Sequence, residues 1–313
     1  MAIDATAKHT MNKAITVQGA LFSGAAICLT LLSLWLPRLS PSVELLGAAF
    51  LIVLLGVPHG ALDPVIARQE YHVRGQRKWF LFTAGYLALM LAVILLWSQW
   101  PFVFLAGFLI ITAFHFSGDP ADGTSPISRV AFGGAIVVLP CLLHASDVAR
   151  LFSMLAGDAA AARLVPALHT ISLGWAPLLA LCALFEGRRS RVVTLEFLAL
   201  GAMAIFASPL IGFMLFFCGM HGARHILRTV NRTGGAALSA VLNAAIVPML
   251  IVASVVVLIL ITTREQSLEI RVMRLIFVGL ASLTVPHMLL VEPLRFGDWP
   301  IRNQLRASSH GVE

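Results

Sequence analysis

Charge is what this sequence has least of. Only 12% of its 313 residues are Asp, Glu, Lys or Arg, while 59% are hydrophobic and the mean hydropathy is +0.90. Soluble domains carry roughly 25% charged and about 45–50% apolar residues. So little charge cannot clothe a water-facing globule of this length, and a bilayer as solvent removes the problem. Closely spaced cysteines are lacking too. Cys28, Cys141, Cys182 and Cys218 fall separately within apolar runs with no CxxC among them, which argues against structural zinc and a disulfide framework. They read as small buried apolar residues. No small-residue cleavage site ends the first apolar run, so that run reads as a retained helix. No soluble domain, tandem repeat or low-complexity tract is visible. The formal charge of +7 sits in short basic runs between apolar stretches, without a binding module or interleaved surface aromatics, which excludes nucleic acid as a partner.

What is present is a series of apolar runs long enough to cross roughly 30 Å of hydrocarbon. Ten are expected: 16–36, 43–59, 79–97, 101–116, 127–143, 166–185, 192–207, 209–227, 238–262 and 270–291. The seventh and eighth are parted only by Ser208-Pro209, which either ends a helix or kinks one. Residues 148–165, with their run of alanines, suggest a small interfacial helix. Of 22 Lys and Arg, fifteen fall in segments that are cytoplasmic if the N-terminus is, six fall outside, and Arg224 lies within a span. That asymmetry follows the positive-inside rule. The expectation is an all-α, multi-pass bundle in the cell's inner (plasma) membrane. It comprises a cytoplasmic segment 1–15, a transmembrane domain 16–291 and a cytoplasmic tail 292–313.

Five of the ten histidines lie in the C-terminal parts of even-numbered spans: His59, His115, His221, His225 and His287. Those spans all run from outside to inside, so the five share one depth near the cytoplasmic boundary. Asp63 follows His59 by four residues, Asp119 follows His115 by four and His225 follows His221 by four; Glu292 follows His287 by five. Positions four apart share a helix face, so three spans are expected to present a histidine and a second ligand-capable side chain on one stripe. Ionisable groups at the ends of spans are expensive and mark functional sites. Gly60, Gly118, Gly219 and Gly222 beside them permit close helix approach. His9, His72, His144, His169 and His310 lie in termini, loops or on the outer side and receive no metal role. Phe114, Phe116, Phe213, Phe216, Phe217 and Met220, which flank the histidines, read equally well as packing or lipid-facing side chains.

Several imidazoles with few obligatory carboxylates suit iron, copper, zinc or nickel over magnesium or calcium. Asp63, Asp119 and Glu292 then make sense as acceptors for the far ring N–H groups, fixing tautomer and orientation, or one of them as a direct ligand. The GVPHGALD segment around His59, AFHFSGD around His115, FFCGMHGARH ending in His225 and PHMLLVE around His287 resemble the Brp/Blh family of integral-membrane β-carotene 15,15'-dioxygenases. The resemblance implies an iron(II) site built from His59, His115, His221 and His225, with His287 in a pocket or outer role. It also implies cleavage of a membrane-dissolved carotenoid by dioxygen, at the central double bond, into two retinals destined for a retinal-binding protein. A di-iron hydroxylase or desaturase typically carries more clustered histidines than this chain, in which no two are adjacent. A haem protein would pair histidines across helices. A transporter would spread polar groups across bilayer depth instead of gathering them at one end.

Overall fold

The computed structural model describes residues 5–232, 238–262 and 265–296. Arg264, Arg302, Arg306 and His310 lie outside the described residues. Those residues form helices α1 (Ala5–Trp35), α2 (Pro41–Gln69), α3 (Gln76–Gln99), α4 (Pro101–Phe116), α5 (Pro126–Val138), α6 (Ala145–Ala156), α7 (Asp158–Gly187), α8 (Arg191–Phe206), α9 (Pro209–Asn231), α10 (Leu238–Thr262) and α11 (Leu268–Phe296). No strand occurs among the described residues. Proline opens α2, α4, α5 and α9, where its missing N–H has no helical partner to lose.

Among the described residues seven helices are long and apolar enough to cross a membrane: α1, α2, α3, α7, α9, α10 and α11. They coincide with seven of the ten expected runs. The other three coincide with shorter helices, α4, α5 and α8. The reason α4 is short bears on function. It ends at Phe116, and the chain beyond it turns inward, burying Ser117 and Asp119. Irregular backbone at such depth is tolerated only where protein covers it. By contrast α3 buries none of its residues, which makes sense only with lipid around it.

Residues 207 and 208 are extended, with ψ of 157° and 134°, so α8 and α9 are separate helices. A residue before proline is pushed out of the helical region, and Pro209 then starts α9. The expected interfacial helix at 148–165 is corrected. Its first part belongs to the amphipathic α6, which ends at Gly157 (φ 87°), and the alanine run opens α7 and continues through Pro166. Glycine alone adopts that φ without strain, which explains the break. Proline within a membrane helix is accommodated by its neighbours, which explains the continuation.

The main core lies where α1, α5, α7, α8 and α9 meet, around Phe22, Phe132, Phe197, Leu200, Met203 and Phe216. A Cβ on Gly133 of α5 would collide with the carbonyl of Ala113 and the amide of Ser117. Backbone therefore meets backbone at the end of α4, and the loop carrying Asp119 is fixed. The cysteine expectation holds for Cys141 and Cys182, which are buried; Cys218 is partly covered and Cys28 is exposed on the outer face of α1.

Candidate metal centre

Two helices lose α-register just where the histidines begin. In α2 the stretch Ile52–Gly56 is a π-turn, and in α9 Phe216–Gly222 is another. Each inserts an extra residue per turn, a feature frequent at functional sites. The turns pack together. A Cβ on Gly56 would strike the Phe217 ring, and one on Gly222 would stand 3.1 Å from the Phe217 carbonyl and 3.4 Å from His59 Nδ1. Gly222 thus matches its expected role. Gly60 does not, since a Cβ there would meet nothing within 4 Å, and one on Gly219 would make only ordinary contacts.

All five histidines converge, none more than 6% exposed. The carboxylates join them, but not in the expected pairs. His287 Nδ1 lies 2.6 Å from Asp63 Oδ1, His221 Nδ1 lies 3.0 Å from Asp119 Oδ2, and His115 Nδ1 lies 2.8 Å from Glu292 Oε1. An ionised carboxylate only accepts, so each Nδ1–H donates, and in a neutral ring Nε2 is then the acceptor nitrogen. His59 Nδ1 donates to the carbonyl of Gly56 in its own helix. The same-stripe expectation fails for His59 with Asp63 and for His115 with Asp119, because the helix ends between the two members. Ala61 and Leu62 form a turn before Asp63 restarts α2, and Asp119 lies past the end of α4. Each carboxylate is therefore free to reach a histidine on another helix.

The two Nε2 atoms of His115 and His221 stand 3.2 Å apart. With both Nδ1 atoms protonated and both rings neutral, two acceptor nitrogens face one another at that distance, an arrangement that a shared proton or a metal cation would turn from repulsive to attractive. Imidazole nitrogens sharing one ion at about 2.1 Å each stand roughly 3.0–3.4 Å apart. The rings close a circuit: centroids of His59 and His221 are 4.8 Å apart, His221 and His115 4.6 Å, His115 and His287 5.3 Å, and His287 and His59 5.5 Å. His225 lies against His59 and His287, at 5.6 and 5.0 Å. Among the described residues no group of three or more His, Cys, Asp or Glu side chains is placed to hold a metal ion as it stands. The fit rests instead on the facing Nε2 pair and on the imidazole-rich donors, which suit a divalent ion such as iron.

Residues 50–295 match the family described as beta-carotene 15,15'-dioxygenase, a stretch that contains every histidine and carboxylate of the cluster. The chain belongs to this family. It is 28% identical over 261 residues to the beta-carotene 15,15'-dioxygenase of an uncultured marine bacterium (66A03), covering 78% of this chain and 92% of that relative. No solved structure matches it.

In this member of the β-carotene 15,15'-dioxygenase family a further layer holds the cluster in place. Arg224, fully buried, donates from Nη2 to Glu196 Oε1 at 2.7 Å, from Nε to Gln18 Oε1 at 2.8 Å and from Nη1 to the Asp119 carbonyl at 3.0 Å. Arg228 donates to the carbonyls of Gly118, Asp119 and Pro120. Two arginines of α9 thus clamp the loop whose carboxylate serves His221 of the same helix. Tyr86 donates to Asp63 Oδ2 at 2.9 Å, occupying the oxygen that His287 leaves free. None of Gln18, Tyr86, Glu196 or Arg228 stands out by spacing. The available signal was polarity inside apolar spans: Arg224, Glu196 and Gln18 are costly there unless they find one another. Phe116 and Phe217 pack against rings of the cluster, Phe216 packs on Phe116 and Met220 is buried, whereas Phe114 is exposed and Phe213 stacks on Phe217. His144 and His169 are engaged elsewhere, with Arg38 and with the Cys141 carbonyl.

Proposed function

We propose that this protein is an iron(II)-dependent dioxygenase of the inner membrane that cleaves β-carotene, or a related carotenoid, at the central 15,15' double bond into two molecules of retinal. The observation that carries the reading is the buried pair of facing Nε2 atoms on His115 and His221, each backed by a carboxylate on its Nδ1. His59 and His225 complete the proposed ligand set. Iron, when bound, supplies activation of dioxygen. The protein's own residues supply the rest. Asp119 and Glu292 hold the protons of His221 and His115 on Nδ1, which makes Nε2 the ligating nitrogen and keeps the rings oriented. Phe116, Phe216, Phe217 and Met220 keep water away from the rings. Adding both atoms of dioxygen across one carbon–carbon double bond gives two aldehydes with no net proton or external electron. No general acid is needed, and a dry, imidazole-lined site is sufficient.

The substrate is itself dissolved in the bilayer, and retinal released there is available to a retinal-binding protein. In the proposed orientation both termini and the histidine end of the bundle face the cytoplasm, with ten crossings counting the shorter helices. Expression in cells that accumulate β-carotene tests the reaction. Bleaching of the pigment with two retinals formed per β-carotene lost is expected. Unchanged pigment beside an abundant, folded protein refutes it.

A further inference from the structure

His287 belongs by sequence to a motif outside the four proposed ligands, yet its setting is that of a ligand. Its Nδ1 donates to Asp63 Oδ1 at 2.6 Å, and the other Asp63 oxygen accepts from Tyr86. The carboxylate is thus held from both sides, and the imidazole can neither flip nor change tautomer without breaking the pair. Its Nε2 is buried and has no hydrogen-bond partner among the described residues. A buried acceptor left without a donor is costly and calls for an explanation. The ring stands between His115 and His59 and lies against His225. Its contacts close the circuit through His59, His221 and His115 and tie His225 to it.

We propose that His287 is a direct metal ligand through Nε2, with Asp63 and Tyr86 as its positioning residues. The proposal rests on the iron reading above and adds a ligand to it. A proton-donor role is the natural rival for an Asp-backed histidine, but cleavage of a double bond by dioxygen into two aldehydes consumes no net proton. A packing role is the other rival, and it gives no reason for a buried, unpaired nitrogen on a ring packed among three other imidazoles. The Asp63–His287 pair joins α2 to α11 as Glu292–His115 joins α11 to α4, so α11 enters the centre with both His287 and Glu292.

The test uses full-length protein in detergent, stripped of metal and titrated anaerobically with Co(II) or Fe(II) alone. Affinity comes from equilibrium dialysis, and the number of coordinated imidazoles from X-ray absorption. His287→Ala is expected to weaken binding more than about 100-fold, beyond the usual 10–100-fold of an outer partner, and to lose one imidazole from the metal's shell. Asp63→Asn is expected to weaken binding within that 10–100-fold range while keeping the imidazole count. If His287→Ala does not fold, His287→Gly purified with added imidazole is measured instead, where binding must rise with imidazole concentration. A variant that binds within threefold of wild type with an unchanged imidazole count overturns the ligand role and leaves the iron reading standing. A wild-type protein that takes up neither metal overturns both.

Discussion

Glu292 shares α11 with His287, yet its carboxylate accepts from Nδ1 of His115 on α4, 2.8 Å away. The same exchange recurs around the cluster. α2 lends Asp63 to His287 of α11, and the end of α4 lends Asp119 to His221 of α9. Every such bond is both a tautomer lock and a tie between helices that chain topology leaves far apart. Orienting a ligand and closing the bundle are one interaction here.

Glu292→Gln and Asp119→Asn follow directly. An amide keeps the size and one acceptor oxygen but loses the charge that makes imidazole a stronger donor to metal. Each variant is expected to fold and to bind iron about 10–100-fold more weakly, with alanine worse at both positions. Dialysis against chelator-buffered iron measures this. Wild-type affinity in both amide variants would mark the carboxylates as ordinary packing groups.

Much of this was legible in the sequence, and the part that was not has identifiable causes. Hydropathy located the helices, because a bilayer leaves few alternatives to a helix for an apolar run. Depth alone gathered the five histidines. The pairing of carboxylates was illegible because it depends on where helices stop: a turn at Ala61-Leu62 and the end of α4 at Phe116 re-aim Asp63 and Asp119. The π-turns before His59 and around His221 carry no simple composition signature. Gly56, which admits the Phe217 ring, was missed for that reason, while Gly60 in the histidine motif looked important and a Cβ there would meet nothing within 4 Å.

The glycines give a matched pair of substitutions. Gly56→Ala forces a methyl into the Phe217 ring, which packs edge-on against His59 at 5.1 Å. Overpacking of this kind costs about 1–3 kcal/mol, and the displaced ring moves His59 with it. Gly60→Ala meets open space. Thermal unfolding in detergent, read beside iron content, is expected to show loss of both for Gly56→Ala and wild-type values for Gly60→Ala. Equal behaviour of the two would show that the π-turn contact does not govern the site.

Arg224 and Glu196 form a buried ion pair, 0% and 2% exposed by side chain, that also braces Asp119 through its carbonyl. Removing one member of such a pair strands the other charge, typically at about 3–5 kcal/mol. Glu196→Ala and Arg224→Ala are each expected to lower the yield of folded protein sharply. The double variant should do less harm than the sum of the two. Arg224→Lys is expected to fail as well, since one ammonium cannot serve Glu196, Gln18 and the Asp119 carbonyl in a planar fork. Retention of iron and stability by Arg224→Lys would reduce this network to a charge balance.

Contacts at the two ends of the bundle bear on which side of the membrane the centre faces. Arg189 donates to the carbonyl of Gly123 at 3.1 Å, and the Glu186 carboxylate accepts from the amide of Ser125 at 3.0 Å. The α7–α8 turn therefore sits beside the loop that carries Asp119, at the histidine end. Arg38 pairs with Asp147 and Glu44 accepts from Ser208, so the α1–α2, α6 and α8–α9 junctions gather at the other end, where Arg150 lies. Basic residues are concentrated at the histidine end, which the positive-inside rule assigns to the cytoplasm. In a background lacking Cys28, Cys141, Cys182 and Cys218, Lys78→Cys and Arg189→Cys are expected to resist a membrane-impermeant thiol reagent in intact cells and to react after lysis. Arg150→Cys should react in intact cells. Because the contacts fix Arg189 and Arg150 at opposite ends, labelling of Arg189→Cys from outside together with protection of Arg150→Cys would invert the bundle and turn the centre toward the exterior.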